Sequence, residues 1–242
     1  MKKLPTFSKA AILVEQQQPL VVDEIELPSE LSYGQVLVEI FVSGICGSQI
    51  GEIRGVKGPD KFLPHLLGHE GFGKVLSIGP GVKHVSKDDS VILHWRVGSG
   101  IQSEPPIYRW NGKKLNAGWV TTFNKYAVIS ENRCTRVEND LNPDIGALFG
   151  CAITTGFGVI ENNAQLKMGE SVVIFGAGGI GLNIIQAAKL KTAYPIIAVD
   201  IFNSRLDLAI KLGATHSINS KEGNTEKEIK KILGNNGLDV FI

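Results

Sequence analysis

Two cysteines and a histidine carry the first chemical signal in this chain. Cys46 stands in Ser43-Gly-Ile-Cys-Gly-Ser48, and His69 follows 23 residues later in Leu67-Gly-His-Glu-Gly-Phe-Gly73. Cys151 lies in Phe149-Gly-Cys-Ala-Ile-Thr-Thr-Gly156. Taken singly, each has an ordinary reading: a lone cysteine packs as a small hydrophobe, and a lone histidine is usually a hydrogen-bonded structural residue. Taken together, two thiolates and an imidazole form a zinc ligand set that leaves a fourth position for water or substrate. Such ligands can lie far apart in a chain, so their spacing alone does not decide between these readings.

A second signal is Ser171-Val-Val-Ile-Phe-Gly-Ala-Gly-Gly-Ile-Gly181, a β-branched run that leads into G-x-G-x-x-G. An apolar-periodic helix follows from about Gly179 to Leu190. A strand from Pro195 to Val199 then ends at Asp200, 24 positions after Gly176. Gly176 permits a tight turn, Gly178 lets the backbone approach a pyrophosphate, and Gly181 lets helix and strand pack closely. Gly179 and Ile180 open the helix, whose N-terminus offers unpaired N–H groups and a positive dipole end to phosphate. Asp200 can accept from a ribose hydroxyl and would repel a 2′-phosphate, which favours NAD over NADP. Arg205 is the counter-argument, because a nearby guanidinium could take that phosphate; otherwise it is a solvated charge on the next helix.

The elements that must position these groups divide the chain in two. From the start to about residue 150, short β-type runs recur at Ala10–Glu15, Leu20–Glu26, Val36–Val42, Phe72–Ile78, Ser90–Trp95 and Val120–Ile129. Turn signals such as Gly79-Pro80-Gly81 and Asn111-Gly112 separate them, a pattern of β-rich domains. Pro143–Phe149 and Thr154–Gln165 read as helical, and from Ser171 strands and helices alternate as in a doubly wound parallel sheet. The boundary is expected near 160, giving domains 1–160 and 161–242. In the second domain His216–Ile218 is a weak third strand, and Leu238–Ile242 a fourth that would lie beside the first. Ending there would leave an uncovered sheet edge, so the chain reads as a fragment of a longer one.

Composition bounds the function classes. The 242 residues are 43% hydrophobic and 20% charged, with a net charge of +1, the profile of a soluble globular protein. No basic run points to nucleic acid or to an anionic membrane. No stretch approaches the roughly 18 apolar residues of a membrane span. The start lacks a signal-peptide core, and three scattered cysteines make no disulfide framework. A cytoplasmic location is the expectation.

Four motifs then carry a resemblance: Gly44-Ile-Cys-Gly-Ser48, Gly68-His-Glu-Gly71 with Gly79-Pro-Gly-Val82 after it, Gly150-Cys-Ala-Ile-Thr-Thr-Gly156, and Gly176–Gly181 with Asp200. In these motifs, and in their order, the sequence resembles the zinc-containing alcohol dehydrogenases of the medium-chain dehydrogenase/reductase superfamily. The resemblance implies a GroES-like catalytic domain followed by a partial Rossmann domain, with the active-site cleft between them. It implies one catalytic zinc on Cys46, His69 and Cys151, with Glu70 as an alternate ligand. It further implies that Ser48 relays the alcohol proton, that Thr155 lies near the nicotinamide and Arg205 near the adenosine ribose, and that Trp95 lines the substrate pocket. For Trp95, ordinary core packing is an equal alternative. The implied activity is hydride transfer between an alcohol or polyol, or the matching carbonyl compound, and NAD, by a homo-oligomer when full length.

Departures from the family pattern matter as much. Many members hold a structural zinc with four cysteines after the strand matching Ser90–Trp95, but residues 96–120 contain none. One zinc per chain is therefore expected, with residues 98–118 an ordered loop near the substrate or an interface. Gln49 replaces an aspartate that commonly bonds the ligating histidine, so the ring should be oriented less strongly. Gly51 replaces a histidine that ends the proton relay in some members. His65 is a candidate substitute, with a structural or exposed histidine as the alternative, and Cys134 reads as a core thiol. Two other readings stand beside the dehydrogenase: a truncated, non-catalytic nucleotide- and metal-binding module, and a zinc-free reductase, against which the joint retention of Cys46, His69 and Cys151 argues.

Overall fold

The computed structural model describes residues 4–138 and 140–242. They form two compact units that divide between Cys151 and Ala152. The division falls somewhat before the expected position near 160. The helix Ala152–Gly158 accounts for this, because it packs on a helix of the second unit. A Cβ on Gly156 would lie 2.6 Å from the Asn183 side chain, so only glycine permits that approach.

The first unit contains strands β1 (Phe7–Leu13), β2 (Val21–Glu26), β3 (Gln35–Ser43), β4 (His65–Leu66), β5 (Glu70–Ile78), β6 (Ser90–His94), β7 (Tyr108–Trp110), β8 (Lys113–Leu115), β9 (Tyr126–Ser130) and β10 (Cys134–Val137). It also contains helices α1 (Gly47–Ile53) and α2 (Pro143–Leu148) and a 3-10 turn at Glu131–Arg133. One sheet runs β4-β1-β2-β7-β8 and the other β10-β6-β5-β3-β9. Side chains alternate across a strand with a period of two, and β3 shows what this does. Val36, Val38 and Ile40 enter one core with Val75, Val91 and Ile129. Leu37, facing the other way, joins Ile12, Ile25 and Tyr108 from the first sheet. Cys134 is buried in the first of these cores, and burial pushes its thiol pKa up.

Residues 98–118 are ordered, as expected, but part of the segment is strand rather than loop. They contain the β7–β8 hairpin, turned at Asn111 and Gly112, both of which have positive φ. Asn-Gly is the pair that such a tight hairpin turn favours. The buried Glu131 carboxylate fixes the approach to this segment, accepting from the backbone N–H of Lys83, His84 and Ile101 at 2.6–2.8 Å. Arg133 adds a side-chain bond to the Trp95 carbonyl and stacks its guanidinium over Trp119.

The second unit opens with α3 (Ala152–Gly158) and a wider helical turn over Val159–Ala164. It continues through β11 (Val172–Phe175), α4 (Gly179–Leu190), β12 (Ile196–Asp200), α5 (Asn203–Leu212), β13 (His216–Asn219), α6 (Thr225–Leu233) and β14 (Val240–Phe241). Its sheet is parallel in the order β13-β12-β11-β14, with the fourth strand beside the first as expected. Val172, Ile174, Ile196 and Ala198 pack against α4 and α5, while Val173, Ile197 and Val199 pack against α6. Helices on both faces explain why these strands read as continuous apolar runs.

Candidate metal centre and nucleotide turn

Three elements of the first unit deliver the donors. Cys46 precedes α1, His69 precedes β5, and Cys151 follows α2. Gly68 sets the direction of His69: its φ is +92, and a Cβ there would lie 2.3 Å from Thr122 Oγ1. Gly150 lets the third segment close in, since a Cβ would meet the Leu93 carbonyl at 2.3 Å and the Glu70 backbone at 2.7 Å. As a result the ligand atoms of Cys46, His69 and Cys151 lie within 4.8 Å of one another. The two sulfurs are 3.9 Å apart. Two Zn–S bonds of about 2.3 Å at the tetrahedral angle would hold them about 3.8 Å apart, so the donor set fits zinc in type and in span.

The groups around these donors are informative. His69 Nδ1 lies 2.5 Å from the amide nitrogen of Gln49, and Nε2 is buried without a hydrogen-bond partner. Burial, and then the Lys57 ammonium, lower the His69 pKa and favour the neutral ring that a metal requires. Ser48 stands in the first turn of α1, with its hydroxyl oxygen buried and unpartnered. Glu70 is buried with its carboxyl group packed against Gly44, and it does not belong to the converging set among the described residues. Trp95 is 46% exposed, which removes the core-packing alternative.

His65 is held on both sides, with Nε2 2.8 Å from Asp60 Oδ2 and Nδ1 3.0 Å from the Leu66 carbonyl. That arrangement makes it a structural histidine rather than the end of a relay. It lines a cavity of about 700 Å³ that reaches from Gln49 and His69 to Pro106 and Trp119. Asn111-Gly112 was the available signal that part of this wall is a hairpin. Nothing in the sequence placed the wall against Gln49.

In the second unit the glycine turn has the required geometry. Gly176 has a φ of +96, and a Cβ on Gly181 would fall 1.8 Å from the Gly176 carbonyl oxygen. A Cβ on Gly178 or Gly179 would meet nothing within 4 Å, so the backbone there is open to a ligand. The helix that begins at Gly179 has no side-chain cap, which leaves its first N–H groups for an anion. Ile180, by contrast, packs against the apolar core of the unit. Asp200 accepts from Ala177 N–H at 2.7 Å through one oxygen, and from Ile201 and Phe202 N–H through the other. Arg205 lies 3.6 Å from the same carboxylate and 4.8 Å from the Phe202 ring centroid. Thr155 is half-buried in α3. No helix among the described residues is long and apolar enough to cross a membrane.

Comparison with known proteins agrees with this geometry. Residues 32–139 match the family model described as the alcohol dehydrogenase GroES-like domain, and residues 179–242 match that of the zinc-binding dehydrogenases. The chain is 32% identical over 240 residues to the S-(hydroxymethyl)glutathione dehydrogenase of Synechocystis sp., an alignment covering 89% of this chain and 64% of that one. It is 31% identical to the enzyme of the same name from Escherichia coli O139:H28, covering 93% and 67%. Among solved structures, an alcohol dehydrogenase zinc-binding domain protein from Burkholderia ambifaria superposes with a TM-score of 0.88 at 29% identity, covering 97% and 70%. Benzyl alcohol dehydrogenase from Acinetobacter calcoaceticus gives 0.81 at 29%, covering 93% and 67%. The chain thus spans somewhat less than two thirds of the length of the Synechocystis relative.

Proposed function

Since the chain belongs to the zinc-containing alcohol dehydrogenases of the medium-chain dehydrogenase/reductase superfamily, we propose that it transfers hydride between an alcohol or polyol, or the matching carbonyl compound, and NAD. The observation that carries this reading is the convergence of the Cys46, His69 and Cys151 donors within 4.8 Å. Those residues would hold one zinc ion, which supplies the Lewis acidity that lowers the pKa of a hydroxyl group. The nicotinamide supplies the hydride acceptor.

The chain's own groups do the rest. Ser48, with its buried and unpartnered hydroxyl, takes the substrate proton and passes it outward. Gly176, Gly178, Gly179 and Gly181 hold the pyrophosphate against the start of α4, with Ile180 fixing the turn to the core beneath. Asp200 keeps lone pairs for a ribose hydroxyl, and Arg205 stays paired with it, which favours NAD over its 2′-phosphate. Thr155 serves the nicotinamide end, and Glu70 is an alternate donor to the metal. The full-length protein would be a cytoplasmic homo-oligomer.

Metal analysis combined with turnover tests this. One zinc per chain, lost in Cys46→Ser, together with NAD reduction by some member of a panel of primary alcohols, secondary alcohols, polyols and S-(hydroxymethyl)glutathione, is expected. A wild-type protein that binds no zinc defeats the proposal. The alternative reading is a nucleotide- and metal-binding module without turnover, and NAD reduction with any member of that panel excludes it.

A further inference from the structure

The contact between Gln49 and His69 carries an inference that rests on the metal reading above. Gln49 is 4% exposed, and its amide nitrogen faces His69 Nδ1 at 2.5 Å. An amide nitrogen only donates, so in this orientation Nδ1 supplies the lone pair and the hydrogen of a neutral ring sits on Nε2. Two buried atoms are then left without partners, Gln49 Oε1 and His69 Nε2. A metal ligand needs the opposite arrangement, with a lone pair on Nε2 and the hydrogen on Nδ1.

A half-turn of the amide supplies it. With Oε1 toward the ring, Nδ1–H donates to the amide oxygen, and the Nε2 lone pair is free for the cation that Cys46 and Cys151 would share. Gln49 Oε1 and His69 Nε2 then have partners, while the amide nitrogen takes the unpartnered place that Oε1 held. A carboxylate could only accept from this ring and an ammonium could only donate, whereas a neutral amide does either. We infer that Gln49 is a positioning residue that decides which His69 nitrogen carries the hydrogen, and that its amide reverses when zinc binds.

Ring ¹⁵N chemical shifts of His69, measured in the intact chain with and without zinc, test this together with zinc affinity from chelator competition. In the wild type the hydrogen should sit on Nε2 without zinc and on Nδ1 with it. Gln49→Glu should hold it on Nδ1 in both states and bind zinc at least as tightly as the wild type. Gln49→Met should bind about 10- to 100-fold more weakly, the usual loss when a partner of a ligating histidine is removed. An unchanged wild-type tautomer on loading, or a Met variant that binds as well as the wild type, overturns the inference. If Gln49→Glu fails to fold, the wild-type and Met measurements decide. If the wild type takes up no zinc, the dehydrogenase reading fails separately. The metal-free spectra then decide the role of Gln49: different nitrogens protonated in the wild type and Gln49→Glu support it, and the same nitrogen in both overturns it.

Discussion

The backbone N–H of Ala177 donates to the Asp200 carboxylate at 2.7 Å, tying the glycine turn to the end of the neighbouring strand. The carboxylate is thus a clasp for the turn as well as a candidate ribose acceptor. Burial alone would raise its pKa. The N–H groups of Ala177, Phe202 and Ile201 and the Arg205 guanidinium outweigh that, and the value lies below the ordinary 3.8. A depressed carboxylate adds stability that is complete above the unfolded-state value and disappears as the pH falls through the folded one. Asp200→Asn, with one acceptor oxygen in place of two, should cost about 1–3 kcal/mol at neutral pH. In denaturant titrations the gap between variant and wild type should close only below about pH 4. A gap that closes nearer neutrality contradicts the assignment.

Two glycines of the same turn should separate stability from binding. Gly181→Ala places a methyl group 1.8 Å from the Gly176 oxygen and should cost about 3 kcal/mol or more, read as a lowered Tm. Gly178→Ala meets nothing, with φ at −81, so Tm should hold. Its methyl group would stand where the pyrophosphate approaches, and NAD affinity should fall about tenfold or more, close to 1.4 kcal/mol. Equal effects of the two substitutions on Tm would contradict this division.

Ser48→Ala should split activity from stability in the other direction. The hydroxyl has no partner to lose, so thermal unfolding should be unchanged or slightly later. Turnover should drop about 100-fold, the loss typical of a missing proton-transfer group. A variant with wild-type turnover would remove Ser48 from the proton path.

Metal removal should expose the two thiols to oxidation. Their sulfurs are 3.9 Å apart, close enough that a modest shift joins them. With hydrogen peroxide, each thiol gives up one hydrogen, the S–S bond forms, and the peroxide leaves as two waters. Chelated protein should yield a Cys46–Cys151 cross-linked peptide by mass spectrometry, whereas zinc-loaded protein should resist. Equal oxidation with and without zinc would mean that these sulfurs are not the ligands.

Much of this was legible from residues alone. The continuous apolar runs Val172–Phe175 and Ile196–Val199 are read as buried strands because a doubly wound sheet has no wet face, and the helix starting at Gly179 is where periodicity placed it. The four strands follow the expected order. The β-rich unit was harder to bound. Val120–Ile129 reads as one strand, but only Tyr126–Ser130 pairs with β3, because Asn124 bonds the Tyr126 carbonyl and bridges to Ala10 of the other sheet. α1 is a short element fixed by tertiary contacts that local pattern does not distinguish from loop, and for the β7–β8 hairpin Asn111-Gly112 signals the turn but not the extent of its three-residue strands. The convergence of three distant donors depends on where Gly68 and Gly150 let segments touch. No spacing rule encodes that.

That convergence couples the ion to the fold itself. Cys46 and Cys151 are 105 positions apart, and only the assembled sheets bring them together with His69. A disordered chain offers no comparable cage, so the free energy of occupancy is also free energy of folding. At a zinc level one hundred times the dissociation constant, this linkage adds about 2.7 kcal/mol, a large share of the margin on which a domain survives. The supply of one trace element would then set how long the polypeptide lasts as well as whether it works.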